Sequence, residues 1–153
     1  MKIINLIILF ISIVFVTNAQ KKIVIDLEDT KMYAFEKENN KWQIIYEFDC
    51  VVGEVGSENN KTKEGDFSIG RKYEDYTSQK YQVKMPFAMF YDGPRAIHAT
   101  DLATIRSYFQ KFGLSWWSSH GCVGLDIKDA KILFKWAPLK TSVYVKKKFD
   151  VEK

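Results

Sequence analysis

Ser118-Ser119-His120-Gly121-Cys122-Val123-Gly124-Leu125 places a cysteine two positions after a histidine, with a glycine between them and apolar residues beyond. In an extended segment residues i and i+2 point to one face, so His120 and Cys122 are expected to share a pocket. Gly121 has no side chain and lets a substrate or a second backbone come close. The only other histidine, His98, lies upstream in Arg95-Ala96-Ile97-His98-Ala99-Thr100. A thiol with its ordinary pKa of about 8.5 is a poor nucleophile at neutral pH, and a neighbouring imidazole corrects this by taking the proton. The pattern therefore points to acyl transfer, with Cys122 as nucleophile and His98 as base. Two other readings of the same residues stand beside it. His120 and Cys122 could be satisfied core residues, or His98, His120 and Cys122 could be three zinc ligands. A His-Gly-Cys run sets two ligands awkwardly close, and no acidic or cysteine partner is suitably spaced. No metal and no other cofactor is assigned.

Outward from this stretch, two helices are expected. Asp101 can cap one with apolar positions at Leu102, Ile105, Tyr108, Phe109 and Phe112, stopped by Gly113. Asp126 or Asp129 starts the other, with Ile132, Leu133 and Trp136 on one face and Pro138 after its end. The rest reads as short strands. These are 22–26, 31–35, the long alternation from Trp42 to Val52, 66–70, extended chain from Tyr81 to Phe90, 95–99 and 141–145. Residues 38–41 and the run Tyr91-Asp92-Gly93-Pro94 are turns. Residues 53–65 and 71–79 read as loops, and 146–153 as a charged tail whose Lys146-Lys147-Lys148 is solvated. Many short strands with few helices argue a mainly β domain, sandwich-like or barrel-like.

At 153 residues the chain is one domain's worth. A formal charge of +4 is too weak to argue for nucleic acid, and no nucleic-acid-binding signature accompanies it. Residues 1–19 read as a secretion signal. Lys2 is followed by the apolar run from Ile3 to Val16, and Val16-Thr17-Asn18-Ala19 offers small residues before a cut at Gln20. An uncleaved membrane anchor is the competing reading. With cleavage, residues 20–153 form an exported domain of the periplasm or cell envelope, with no stable membrane association. Two cysteines in an exported chain could pair. Cys50, however, continues the alternation of Trp42, Ile44, Tyr46 and Phe48, and reads as a buried small hydrophobe. Pairing would also consume the nucleophile.

Ser119-His120-Gly121-Cys122-Val123, with a histidine upstream, resembles the signature of the L,D-transpeptidase catalytic domain (YkuD-type). Three other stretches are similar in order. Residues 23–35 resemble the family's opening strands. Residues 61–70 resemble its Thr-Pro-x-Gly-x-Phe-x-Ile segment, with Lys63 where proline is usual. Met85 to Gly93 followed by Ile97-His98 resembles the run into the catalytic histidine. The resemblance spans nearly all of residues 22–145. It implies a β-sandwich with two or so short helices flanking the active site, acting on peptidoglycan stem peptides.

By that resemblance Cys122 attacks the carbonyl of the third stem residue, typically diaminopimelate, and expels the terminal D-alanine. His98 matches the base, and Ala99 the residue whose carbonyl orients it. Ser119 and His120 match the residues that shape the site. Backbone amides from Gly121 to Val123 would stabilise the oxyanion. Tyr91 resembles a substrate-side aromatic. Two departures stand out. Gly124 replaces the usual Arg or Asn, with Arg95, Arg106 and Arg71 as candidate substitutes. His98 and Cys122 are also unusually far apart, and Leu102 to Trp117 fills the gap, with Trp116-Trp117 as a packed turn or a substrate wall. A hydrolase using the same cysteine and a catalytically silent peptidoglycan-binding module remain as alternatives. The oligomeric state is not legible in the chain.

Overall fold

The computed structural model describes residues 19–54, 57–114 and 118–151. The apolar run ending before Asn18 and the pair Trp116-Trp117 lie outside the described residues. In chain order the elements begin with β1 (Lys21–Asp26), β2 (Lys31–Glu38), β3 (Lys41–Asp49), β4 (Gly65–Ser68) and β5 (Arg71–Tyr73). They continue with β6 (Ala88–Asp92), β7 (Arg95–Ala99), α1 (Ala103–Lys111), β8 (Val123–Leu125), α2 (Ile127–Trp136) and β9 (Ser142–Lys146).

The strands form two sheets. One has the order β3-β2-β1-β9-β4 and the other β5-β6-β7-β8. Alternation along the strands supplies the shared core. Ile23 and Ile25, Met32 and Ala34, Val143 and Val145 from the first sheet pack with Met89, Ile97, Ala99, Val123 and Leu125 from the second. Leu133 and Ala137 of α2 and its C-terminal flank join the same core. The opposite face of the second sheet carries a smaller cluster of Met85, Ala88, Phe90 and Ala96, with Tyr76 and Cys122 packed on it. The mainly β, two-layer architecture with two helices is the one expected.

Several local readings change. The alternation from Trp42 does not run to Val52 as a strand, because β3 ends at Asp49. A register shift opposite Ala34 and Phe35 leaves Ile45 unpaired, so Trp42 and Ile44 turn outward while Phe48 and Cys50 are buried. Cys50 is fully buried and free. Part of the expected 71–79 loop is strand β5, and most of the Tyr81–Phe90 stretch is turn and irregular chain, with β6 starting only at Ala88. The C-terminal tail is not wholly solvated. Lys146 to Lys148 are exposed, but Phe149 and Val151 cover Val24, Tyr33 and Phe35 on the outer face of the first sheet.

The largest correction concerns α1. Asp101 does not cap it, since Leu102 holds the N-cap position in a left-handed conformation with no side-chain cap bond. The Asp126 carboxylate, at the head of α2, accepts the Ala103 N–H at 2.8 Å and also the Thr104 hydroxyl. The apolar positions do not face the core either. Leu102, Ile105, Tyr108 and Phe112 are exposed, whereas Ala103 and Ser107 are buried. The reason lies in what α1 covers, namely the non-strand segment after β3, whose polar backbone groups meet polar side chains. Gln110 accepts from the Val52 N–H at 3.1 Å and donates to the Val52 carbonyl at 2.9 Å, and the Thr30 hydroxyl donates to the Ser107 carbonyl at 3.3 Å. Polar side chains satisfy such a surface and leucines do not.

Candidate active site

Strand pairing brings the two key residues together. β7 and β8 run parallel with Ile97 opposite Val123 and His98 opposite Gly124. Extending that register by one residue places Cys122 beside Ala96. Residues that pair share a face, and so do residues two apart, so Ala96, His98 and Cys122 point to one side. Ile97 and Val123 point to the other, into the main core. Cys122 and His98 are thus diagonal neighbours on the outer face of the second sheet. Both are half-buried.

His98 is held by its own strand. Its Nδ1 lies 2.7 Å from the Ala99 carbonyl oxygen. A carbonyl can only accept, so Nδ1 carries the proton and Nε2 of the neutral ring keeps its lone pair. Burial pushes the imidazole pKa down; the Ala99 bond opposes this and the Arg106 charge adds to it. Burial pushes the Cys122 thiol up, against smaller lowering effects from the Ala96 backbone N–H and the Arg95 guanidinium. Both shifts favour the neutral forms, thiol and imidazole.

The residues before Cys122 do not form the extended segment expected from the sequence. They make a loop closed by Ser119, whose hydroxyl donates to the Cys122 carbonyl and accepts the Gly121 N–H at 3.1 Å. Gly121 has φ of +101°, and a Cβ there would lie 3.1 Å from both Arg95 Nε and the Lys61 carbonyl oxygen. Glycine is needed on both counts. His120 is exposed, and its ring packs at a tilt against Tyr81, with centroids 5.0 Å apart. Among the described residues, His, Cys, Asp and Glu side chains do not gather in threes as a metal site would require.

The expected substrate contacts divide. Arg95 stands beside the loop, with Nη1 paired to Asp92 at 3.0 Å and Nε donating to the Lys61 carbonyl at 3.3 Å. Tyr91 is not at an open pocket. It is 7% exposed and packs against Phe67 in the core at 5.5 Å, because β6 turns it to the inner face. Trp116 and Trp117 lie outside the described residues. Arg71 does not take the place left at position 124, since its guanidinium donates to the Gly93 carbonyl at 3.2 Å.

Gly124 itself is explained by packing. A Cβ there would lie 2.4 Å from Thr100 Cγ2, so the Thr100 side chain occupies the space that a residue at 124 would need. Thr100, Tyr81 and Thr62 are site residues the sequence reading missed. Thr62, 5% exposed, accepts the Gly53 N–H at 2.8 Å and donates to the Gly121 carbonyl at 3.1 Å, tying the 53–65 loop to the cysteine loop. Its stretch was legible as a family-like segment, but no pattern marks Tyr81 or Thr100.

The YkuD family model, described as the L,D-transpeptidase catalytic domain, matches residues 20–145. Among curated proteins none matches this chain by sequence. Solved structures are similar in fold. An L,D-transpeptidase from Stackebrandtia nassauensis superposes with a TM-score of 0.67 at 23% identity, covering 86% of this chain and 58% of that one. L,D-transpeptidase 1 from Mycobacterium tuberculosis gives 0.61 at 13% identity, covering 84% and 62%. An L,D-transpeptidase from Enterococcus faecium gives 0.62 at 22% identity, covering 83% and 50%. This chain therefore spans between half and two thirds of the length of these structures. With the family model matched over most of its residues, the chain belongs to the L,D-transpeptidase catalytic domain family.

Proposed function

We propose that this protein is an exported cysteine acyltransferase that cleaves the bond before the terminal D-alanine of peptidoglycan tetrapeptide stems and passes the acyl group to an amine. The observation that carries the reading is the placement of Cys122 and His98 on one face of adjacent strands, with His98 Nδ1 fixed on the Ala99 carbonyl. In this scheme His98 Nε2 takes the thiol proton as Sγ attacks the carbonyl carbon of the third stem residue. The tetrahedral oxyanion needs backbone donors. Gly121 N–H is committed to Ser119 Oγ, so this role falls chiefly to Cys122 N–H. Collapse breaks the C–N bond, and the imidazolium returns its proton to the departing D-alanine amine. An acceptor amine then attacks the thioester, loses a proton to His98 and expels the thiolate. His120 and Tyr81 would wall the approach to the sulfur.

Residues 1–19 would act as a secretion signal and 20–153 as the catalytic domain, placed in the periplasm or cell envelope. No helix among the described residues is long and apolar enough to cross a membrane. The test incubates the purified protein and its Cys122→Ala variant with disaccharide-tetrapeptides and reads the products by mass spectrometry. D-alanine loss with a cross-linked dimer or an exchanged terminal residue, absent in the variant, is expected. Loss that yields only free tripeptide would make the protein a carboxypeptidase. No change with either protein would overturn the proposal and favour a binding module.

A further inference from the structure

A single guanidinium joins the two halves of the site. Arg106, half-buried on the packed face of α1, donates from Nη1 to Thr100 Oγ1 at 3.0 Å and from Nη2 to the Ser118 carbonyl at 3.3 Å. Thr100 lies two residues after His98, and Ser118 opens the loop that ends at Cys122. Thr100 is available as a partner only because Gly124 has no side chain, as the 2.4 Å approach of its methyl to a Cβ position shows. Its backbone is also anchored, with Thr100 N–H donating to the Leu125 carbonyl at 2.8 Å. Gln110, one turn further along α1, repeats the pattern. Its Nε2 donates to Ser118 Oγ at 2.8 Å as well as to the Val52 carbonyl. The inward face of α1 is therefore built of side chains that hold the base strand and the nucleophile loop at a set distance.

We infer that Arg106 is a positioning residue, a two-pronged clamp through Thr100 and Ser118 that holds His98 and Cys122 in reacting register. The inference rests on the reading of these two residues as base and nucleophile. A planar guanidinium is suited to the task, because its N–H groups diverge in a fixed fork whereas an ammonium is a point charge on a flexible stem. The positive charge also stands near His98 and, secondary to burial, disfavours the imidazolium. A clamp and a charge make opposite demands on experiment. If only the charge acted, its removal would favour imidazolium and speed thiolate formation. If the clamp acts, its removal slows it.

The experiment measures the rate of Cys122 alkylation by iodoacetamide near neutral pH, with buried Cys50 as the internal report of unfolding. It compares wild type, Arg106→Gln, Thr100→Val, the double variant, Thr100→Ser and His98→Gln. Misplacing a reacting group by about 1 Å costs about 10²-fold, so each of the two single clamp variants is expected to react at least about tenfold more slowly. The double variant is expected to react no more slowly than either single one, because both break one unit. Thr100→Ser keeps the hydroxyl and is expected to keep the wild-type rate. An unchanged or faster rate in Arg106→Gln, or slowing there with none in Thr100→Val, would overturn the clamp. Labelling of His98→Gln as fast as wild type would instead sink the parent reading of His98 as base.

Discussion

Substitution of Gly124 by alanine tests the packing around the site most directly. Gly124 sits in β8 without a left-handed backbone, so alanine meets no conformational penalty there. Replacing a strand glycine whose backbone alanine can adopt stabilises by about 0.4–1 kcal/mol, through the unfolded chain. Against this stands the 2.4 Å approach to Thr100 Cγ2, where carbon atoms prefer about 3.5–4.0 Å. Thr100 cannot rotate away freely, because its hydroxyl accepts from Arg106 and its N–H is bound to Leu125. Overpacking of this kind costs about 1–3 kcal/mol. The net expectation is a loss of about 1–2 kcal/mol, a fall of about 2–8 °C in Tm for a chain of this size.

Thr100→Ser in the same chain removes the clashing methyl and leaves a 3.3 Å contact to Cβ, so it should recover most of the loss. Alone it should cost about 0.8 kcal/mol for the buried methyl. Urea unfolding of the four proteins gives the coupling, expected near 1–2 kcal/mol and favourable in the double variant, with unchanged m. Gly124→Ala as stable as wild type, or the two changes simply adding, would refute the reasoning. An arginine at 124 would require Thr100 to leave first.

Four other outcomes are expected. His98 is held below its ordinary pKa, so the unfolded chain binds its proton first and stability falls as pH drops below about 6.5. Urea midpoints across pH 5–8 should show this acid limb shallower in His98→Gln. Both thiols are held high by burial, so stability should also fall as pH rises past about 8.5, with Cys50→Ala flattening that limb when the urea midpoints are carried on above that pH. The Tyr91 hydroxyl is buried with no hydrogen-bond partner among the described residues, so Tyr91→Phe should leave stability unchanged or raise it by about 1 kcal/mol, read by thermal unfolding. Asp126→Ala should lower stability by about 1–2 kcal/mol, since the Ala103 N–H loses its acceptor; Asp126→Asn should restore part of it.

What could be read without coordinates were features carried by neighbours in the chain. Period-2 alternation marks β9 because burial of one face leaves its imprint on adjacent residues, whereas β1 and β2 read as apolar runs because both of their faces are covered. Ser119-His120-Gly121-Cys122 was legible for the same reason, since the Ser119 turn and the positive φ at Gly121 are local requirements. The register that sets His98 diagonal to Cys122 was not, because parallel strands 24 positions apart pair through the whole sheet. The inward face of α1 was misread. Its hydrophobic pattern suggested a leucine-and-aromatic core contact, while the surface it covers presents backbone N–H and carbonyl groups, to which Gln110 and Arg106 bond. Tyr91 was misplaced too: it alternates with Phe90 and so falls with Met89 on the inner face. The amino-acid order by itself determined the strand-rich fold class and the family, since propensity, turn residues and motif spacing act within a few residues. Only the tertiary structure decided that Gly124 makes room for Thr100, that Asp126 caps α1 from another helix, and that Arg106 reaches both Thr100 and the Ser118 carbonyl. Those are contacts between distant segments, and nothing in local sequence encodes which distant groups will need a partner.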